Sequence, residues 1–324
     1  MSDTTLLQSK EALEPISAFA PWGGRAPFHA GCWSLDASFR FCMNLALSHY
    51  ENFPVFLRVF DKEQRDALAA VYAFARIADD FADEREFRGV GEALLDRWRR
   101  QLDRCGDQGT AHPVFVALSW AMARFSIEPR LLHDLLDAFM QDCRTTRYET
   151  FGDLLNYCQR SANPVGRIVL RILDDDDDDN RRWSDQICTA LQLTNFWQDV
   201  SVDAKKNRLY LPLEDLEHYK VKDSAIFGGV VSEPVHSLIL FEAQRTRELF
   251  RSGRNLILNA AYPGSLYFAG VWLGGRTVLR MVKDLGARVV RERPVLGKRR
   301  IAHAWLSAGL TRLTGREERS RWIH

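Results

Sequence analysis

An all-α fold in a single domain is what this sequence predicts. Apolar residues recur at helical rather than strand spacing through most of the chain, as in ALAAVYAFARIA (residues 67–78) and ICTALQLTNFW (187–197). No composition break or long linker divides the 324 residues, which suffice for a large core. Two segments, ADDFADE and FWQDVSVD, carry aspartates four apart, Asp79 with Asp83 and Asp199 with Asp203. That spacing places both carboxylates on one face when the backbone is helical.

In chain order, a lead containing proline and glycine runs to about residue 30, and the domain occupies 31–290. Pro54 separates two early helices. Residues 61–80 open with the acidic DKEQRD and continue with spaced Leu, Val, Tyr, Phe and Ile, a helix with a broad apolar face and the first acidic pair near its far end. Helices are expected over 91–105, 112–124 and 128–143. Another spans 150–172, interrupted by Pro164 and Gly166, where a bend or a close backbone approach belongs. The six aspartates Asp174 to Asp179 repel one another and are poor helix formers, so they read as a solvated connection. They lack the alternating donors and turn glycine of a calcium-binding EF-hand loop. A helix over 184–201 carries the second acidic pair, and Arg208-Leu209-Tyr210-Leu211-Pro212 follows it. Helices over 234–257 and 265–290 flank a turn at Pro263-Gly264. Phe268, Val271, Trp272 and Leu273 suit either a cavity roof or ordinary core. Beyond 290 a basic extension, 291–324, holds Arg291, Arg293, Lys298, Arg299 and Arg300. Together with Arg288 these fit diphosphate contact, attraction to anionic lipid or a solvated tail equally.

Composition excludes several classes. The formal charge is +1, which gives no nucleic-acid signal. Six cysteines form no CxxC pair and no zinc spacing, so reduced, structurally incidental thiols are expected. The start MSDTTLLQSKE has no signal-peptide pattern, and no apolar run has transmembrane length. A cytoplasmic location is expected, compatible with attachment to the periphery of the inner membrane face.

The two acidic pairs carry the chemistry. An isolated DxxxD usually covers a solvated helix face, but here each pair follows a strongly apolar segment, where unpaired carboxylates are costly. Divalent cations offset that cost and the repulsion between the carboxylates. Oxygen ligands suit magnesium, which commonly bridges protein to substrate phosphates. The expected cargo is a diphosphate.

ARIADDFAD (75–83), QLTNFWQDVSVD (192–203) and the RLYLP segment together resemble the squalene/phytoene synthase family of head-to-head trans-isoprenyl diphosphate synthases, over roughly residues 40–290. The resemblance implies an all-helical isoprenoid synthase fold around a central cavity. It assigns Asp79, Asp83, Asp199 and Asp203 to catalysis through several Mg2+ ions, with Asp80 as a further metal ligand. Arg76, Tyr157, Arg160, Asn163, Gln192, Asn195 and Arg208 are then expected at the substrate.

Departures from the family pattern point to a branch. YCQRSANPVG (157–166) replaces a YxxAGxVG-like segment, with Arg160 where squalene synthases often carry tyrosine and Asn163 in place of a common glycine. Gln198 stands where phytoene synthases commonly have arginine. With HYENFPV (49–55), these features resemble the hydroxysqualene synthases of hopanoid biosynthesis. The implied reaction converts presqualene diphosphate and water to hydroxysqualene and diphosphate without NADPH. The other readings are a presqualene diphosphate synthase joining two farnesyl diphosphates, a squalene or phytoene synthase, and a non-catalytic isoprenoid-binding scaffold. Large apolar substrates suit peripheral membrane contact and hand-over between pathway enzymes. His49 is a lone histidine with no assigned role.

Overall fold

The structure is a computed structural model and describes residues 33–48, 59–106 and 112–295. Among the described residues there is no strand. Helices α1 (Leu35–Ser48), α2 (Lys62–Asp83), α3 (Gly91–Asp103), α4 (Pro113–Phe125), α5 (Pro129–Asp142), α6 (Phe151–Ser161) and α7 (Asn163–Ile172) form the first half. The second half holds α8 (Asp178–Asp203), α9 (Leu213–His218), α10 (Asp223–Phe227), α11 (Glu233–Ser252), α12 (Asn255–Asn259) and α13 (Gly264–Leu285). Short 3₁₀ turns follow α2, α8 and α13. One apolar core runs from Phe39 to Val290 across both halves. Pro54, the HYENFPV segment, His49, the lead to residue 30 and the extension from 296 onward lie outside the described residues.

Local chemistry accounts for the ends of the two helices that matter most. Asp61 caps α2 in a reciprocal capping box with Gln64, satisfying two backbone donors the first turn would otherwise leave open. The acidic run is in part the solvated connection expected, with Asp174, Asp177, Asp178 and Asp179 exposed, but it also builds the start of α8. Asp177 accepts from the Asn180 amide as N-cap, and Asp178 and Asp179 supply negative charge to the first turn. The side chain of Asp176 is only 8% exposed and binds both Arg171 and Arg181. Asp175 accepts from the Ala261 amide at 2.9 Å. Helix α8 therefore begins six residues before the expected 184.

The 150–172 segment is two helices rather than one bent helix. α6 ends at Ser161, and Pro164 lies in the first turn of α7, where a missing N–H costs nothing. Gly166 allows close approach, since a Cβ there would meet the Ser184 hydroxyl at 2.3 Å. The expected 234–257 helix likewise divides into α11 and α12. Phe268 and Trp272 are core, with the Trp272 indole donating to the Phe250 carbonyl at 2.7 Å. Val271 and Leu273 pack half-buried against that core.

Helix α8 is the spine of the second half, packed by α7, α11, α12 and α13, while α2 is the spine of the first, packed by α1, α4, α3 and α5. Helix α7 touches both spines. The C-terminal ends of α2 and α8, each carrying an acidic pair, are thus presented as two walls.

Candidate active site

On α2, Tyr72, Arg76, Asp79 and Asp83 fall on one stripe at steps of four, three and four, and none of them is fully buried. On α8, Gln192, Asn195, Asp199 and Asp203 share a stripe at steps of three, four and four, and none of them is fully buried. Asn195 is exposed between the buried Thr194 and Phe196, in the middle of a packed spine, so open space lies against that face. The 3₁₀ turn after α8 and the extended segment behind it connect the walls. Lys206 Nζ and Arg208 Nη1 each bind one oxygen of Asp83. Arg208 Nη2 also donates to the backbone carbonyl of Asp142 at 3.2 Å. The segment is stitched down by Leu209 N to Thr146 O and Leu213 N to Tyr148 O, each 2.9 Å.

The electrostatics follow from this convergence. Burial pushes the Asp79 carboxyl up to about 6, opposed by Arg76 and aided by Asp83. Its side chain is still 44% accessible, as on the wall of a concave site. Burial pushes Asp203 up to about 7, with Asp199 and Asp83 adding repulsion. Asp83 feels burial too, but Lys206 and Arg208 outweigh it and hold its carboxyl below the usual range. Asp199 is gripped by Arg293, Nε to Oδ1 and Nη2 to Oδ2 at 3.4 Å.

Four of the expected site residues take a different place. Asp80 lies about 100° around the helix from Asp79, on the Arg76 side of the stripe. It is buried, with Arg76 Nη2 2.5 Å from its Oδ1. Neither of its oxygens has a well-formed hydrogen bond, and burial pushes it up to about 7. Asp80 therefore orients Arg76 rather than joining the Asp79–Asp83 face. Tyr157 is buried, its hydroxyl donating to Asp142 Oδ2 at 2.7 Å. Asn163 is buried and accepts from the Thr189 hydroxyl at 3.0 Å. The Tyr157 hydroxyl proton and the Asn163 carbonyl oxygen are thus engaged within the protein. Arg160 Nη2 donates to Gln141 at 2.5 Å, but its buried Nε has no hydrogen-bond partner.

Lys206, Asp142 and Tyr210 were not among the expected site residues. Asp142, at the end of α5, gathers Tyr157, Tyr210 at 3.4 Å and Arg208. The ring of Tyr210 stacks on Phe196 at 3.8 Å. Lys206 had a signal, three residues past Asp203, whereas Asp142 had none, because its partners lie far away in the chain.

Among the described residues no three metal-ligating side chains converge. That fits magnesium better than a caged metal, because Mg2+ takes one or two carboxylates and completes its octahedron with water and substrate phosphate. Asp79 and Asp203, whose anionic forms burial disfavours, offer one carboxylate of that kind on each wall. The surface groove of about 550 Å³ between α11 and α13, lined by Phe241, Arg247, Arg280 and Lys283 among others, contains none of these residues.

A wholly helical domain presenting two acidic helix ends and intervening cations is the architecture of an isoprenyl diphosphate synthase. Residues 47–300 match the family model described as squalene/phytoene synthase, and the chain belongs to that family. It is 30% identical to a phytoene synthase of Mycobacterium tuberculosis over 226 residues, 69% of this chain and 74% of that one. It is 34% identical to a hydroxysqualene synthase of Rhodopseudomonas palustris over 210 residues, 64% of this chain and 70% of that one. The crystal structure of squalene synthase HpnC from Alicyclobacillus acidocaldarius superposes with TM-score 0.74 at 34% identity, covering 80% of this chain and 98% of that one. The family is enzymatic and acts on isoprenyl diphosphates.

Proposed function

We propose that this enzyme converts presqualene diphosphate and water to hydroxysqualene and inorganic diphosphate, using Mg2+ and no NADPH. The observation that carries the diphosphate part is that Lys206 and Arg208, just past the Asp199–Asp203 end of α8, bind Asp83 of the Asp79–Asp83 pair on α2. The branch rests on Arg160, Asn163 and Gln198 and on the 34% identity to a protein named hydroxysqualene synthase.

Bound Mg2+ supplies charge neutralisation of the leaving diphosphate. Arg76, Lys206 and Arg208 add fixed positive charge at the same end, where charge develops as the C–O bond breaks. Asp83 holds Lys206 and Arg208 in place, and Asp80 holds Arg76. Gln192 and Asn195 face the same space from α8 and orient the substrate. The buried aromatic wall of Tyr157, Phe196 and Tyr210 excludes bulk water from the carbocation. One water then forms the new C–O bond, and its proton passes to the departed diphosphate, which leaves as inorganic diphosphate. Arg160, whose buried Nε has no hydrogen-bond partner, is the residue we assign to orienting that water.

The test is mass-spectrometric product analysis of purified protein with Mg2+ and either presqualene diphosphate or farnesyl diphosphate, with and without NADPH. Hydroxysqualene from presqualene diphosphate without NADPH is expected. Presqualene diphosphate accumulating from farnesyl diphosphate would assign the first coupling step instead. The 30% identity to a phytoene synthase makes geranylgeranyl diphosphate the necessary control. Metal and prenyl diphosphate binding without turnover of any of these substrates would leave an isoprenoid-binding scaffold. Peripheral membrane contact belongs to the same proposal. No described helix is long and apolar enough to cross a membrane.

A further inference from the structure

Gln198 precedes Asp199 on α8, and its half-buried side chain donates Nε2 to the carbonyl of Pro294 at 2.6 Å. Pro294 directly follows Arg293, the residue that grips Asp199. On the other side of Arg293, the Nε of Arg291 donates to the Gly229 carbonyl at 2.6 Å. Gly229 has φ +63°, and a Cβ there would come within 3.3 Å of Arg291 Cγ, so glycine suits this close crossing. The turn Gly286–Val290 leads in with Val289 and Val290 buried. Residues 291–294 therefore form a strap pinned on both sides of Arg293.

We propose that Gln198 is a positioning residue, holding the strap by Pro294 so that Arg293 supplies the cation beside Asp199 that α8 itself lacks. The chemistry of the position supports this. A cation at 198 would repel the Arg293 guanidinium across one residue, and a carboxylate has no proton to give the Pro294 carbonyl. A neutral amide donates without either conflict. The role rests on the reading of this end of the site as the diphosphate end, where a second positive group opposite Lys206 and Arg208 completes the cationic surround.

The test compares Gln198→Ala, Gln198→Met, which keeps the length but donates nothing, Arg293→Ala and the Gln198→Met/Arg293→Ala double variant. Amide hydrogen exchange over 289–295 is read without ligand. Calorimetric affinity for inorganic diphosphate is read in Mg2+. We expect faster exchange in both Gln198 variants with the thermal midpoint kept. Affinity should fall about tenfold in Gln198→Met and in Arg293→Ala, the scale of one hydrogen bond to a charged group. The double variant should lose no more than Arg293→Ala alone, because the two residues act as one unit. Unchanged strap exchange in both Gln198 variants, or losses that multiply in the double variant, would overturn the proposal. Wild-type protein that binds no diphosphate in Mg2+ would sink the reading of the site and this role with it. Wild-type binding that Gln198→Met leaves unchanged would sink the anchor alone.

Discussion

Arg208 binds Asp83 from 125 residues further along the chain and reaches the Asp142 carbonyl with its other terminal nitrogen. One side chain thus joins the ends of α2 and α5 to the segment that follows α8, and the geometry of this end of the candidate site depends on it.

Replacing Arg208 by methionine should lower kcat by about 10²-fold, the effect of removing one preorganised donor to developing negative charge. Arg208→Lys should recover only part of this, since an ammonium cannot span Asp83 and Asp142 together. Steady-state kinetics beside a thermal midpoint separate this from unfolding.

Metal binding should be linked to diphosphate. Mg2+ alone should shift the thermal midpoint little, because the walls offer carboxylate pairs rather than a closed cage. Mg2+ with inorganic diphosphate should stabilise the protein, by about 2.7 kcal/mol at a hundredfold excess over Kd. Asp79→Ala or Asp199→Ala should abolish that shift. A large response to Mg2+ alone would point to a self-contained metal site.

Asp142 should make stability fall with rising pH. Burial raises its folded carboxyl from 3.8 to about 7, so between those values the folded state holds a proton that the unfolded state has released. The contribution is full below about pH 4 and is lost as pH rises through 7. Asp79, Asp80 and Asp203 slope the same way. The difference between wild type and Asp142→Asn isolates the Asp142 share, and the variant should have the flatter profile in urea melts from pH 4 to 8.

The acidic run should behave as a cap. Asp177→Ala should cost about 1 kcal/mol by removing the N-cap of α8. Asp179→Ala, which removes an exposed pair with Arg182 and one first-turn charge but no capping hydrogen bond, should change stability by about 0.5 kcal/mol or less. Equal effects would mean the run does no capping.

Much of the architecture was already present in local pattern. The all-α class, the helix carrying Asp79 and Asp83, and the shared stripe of Gln192, Asn195, Asp199 and Asp203 follow from a 3.6-residue period that any reader of the sequence can apply. What tertiary structure decided was how each polar group is used. Six consecutive aspartates read as a solvated loop because neither the helix start they cap nor the Arg171 and Arg181 that neutralise Asp176 can be paired with them in advance. Asp80 reads as a ligand beside Asp79, yet 100° of helix rotation turns it toward Arg76. Tyr157 and Asn163 read as substrate contacts, yet Asp142 and Thr189 hold them, across 15 and 26 residues of sequence. Helical periodicity is a property of neighbours along the chain and survives in the sequence. The partner of a buried hydrogen bond is set by packing between distant helices, and only the folded chain brings the two together.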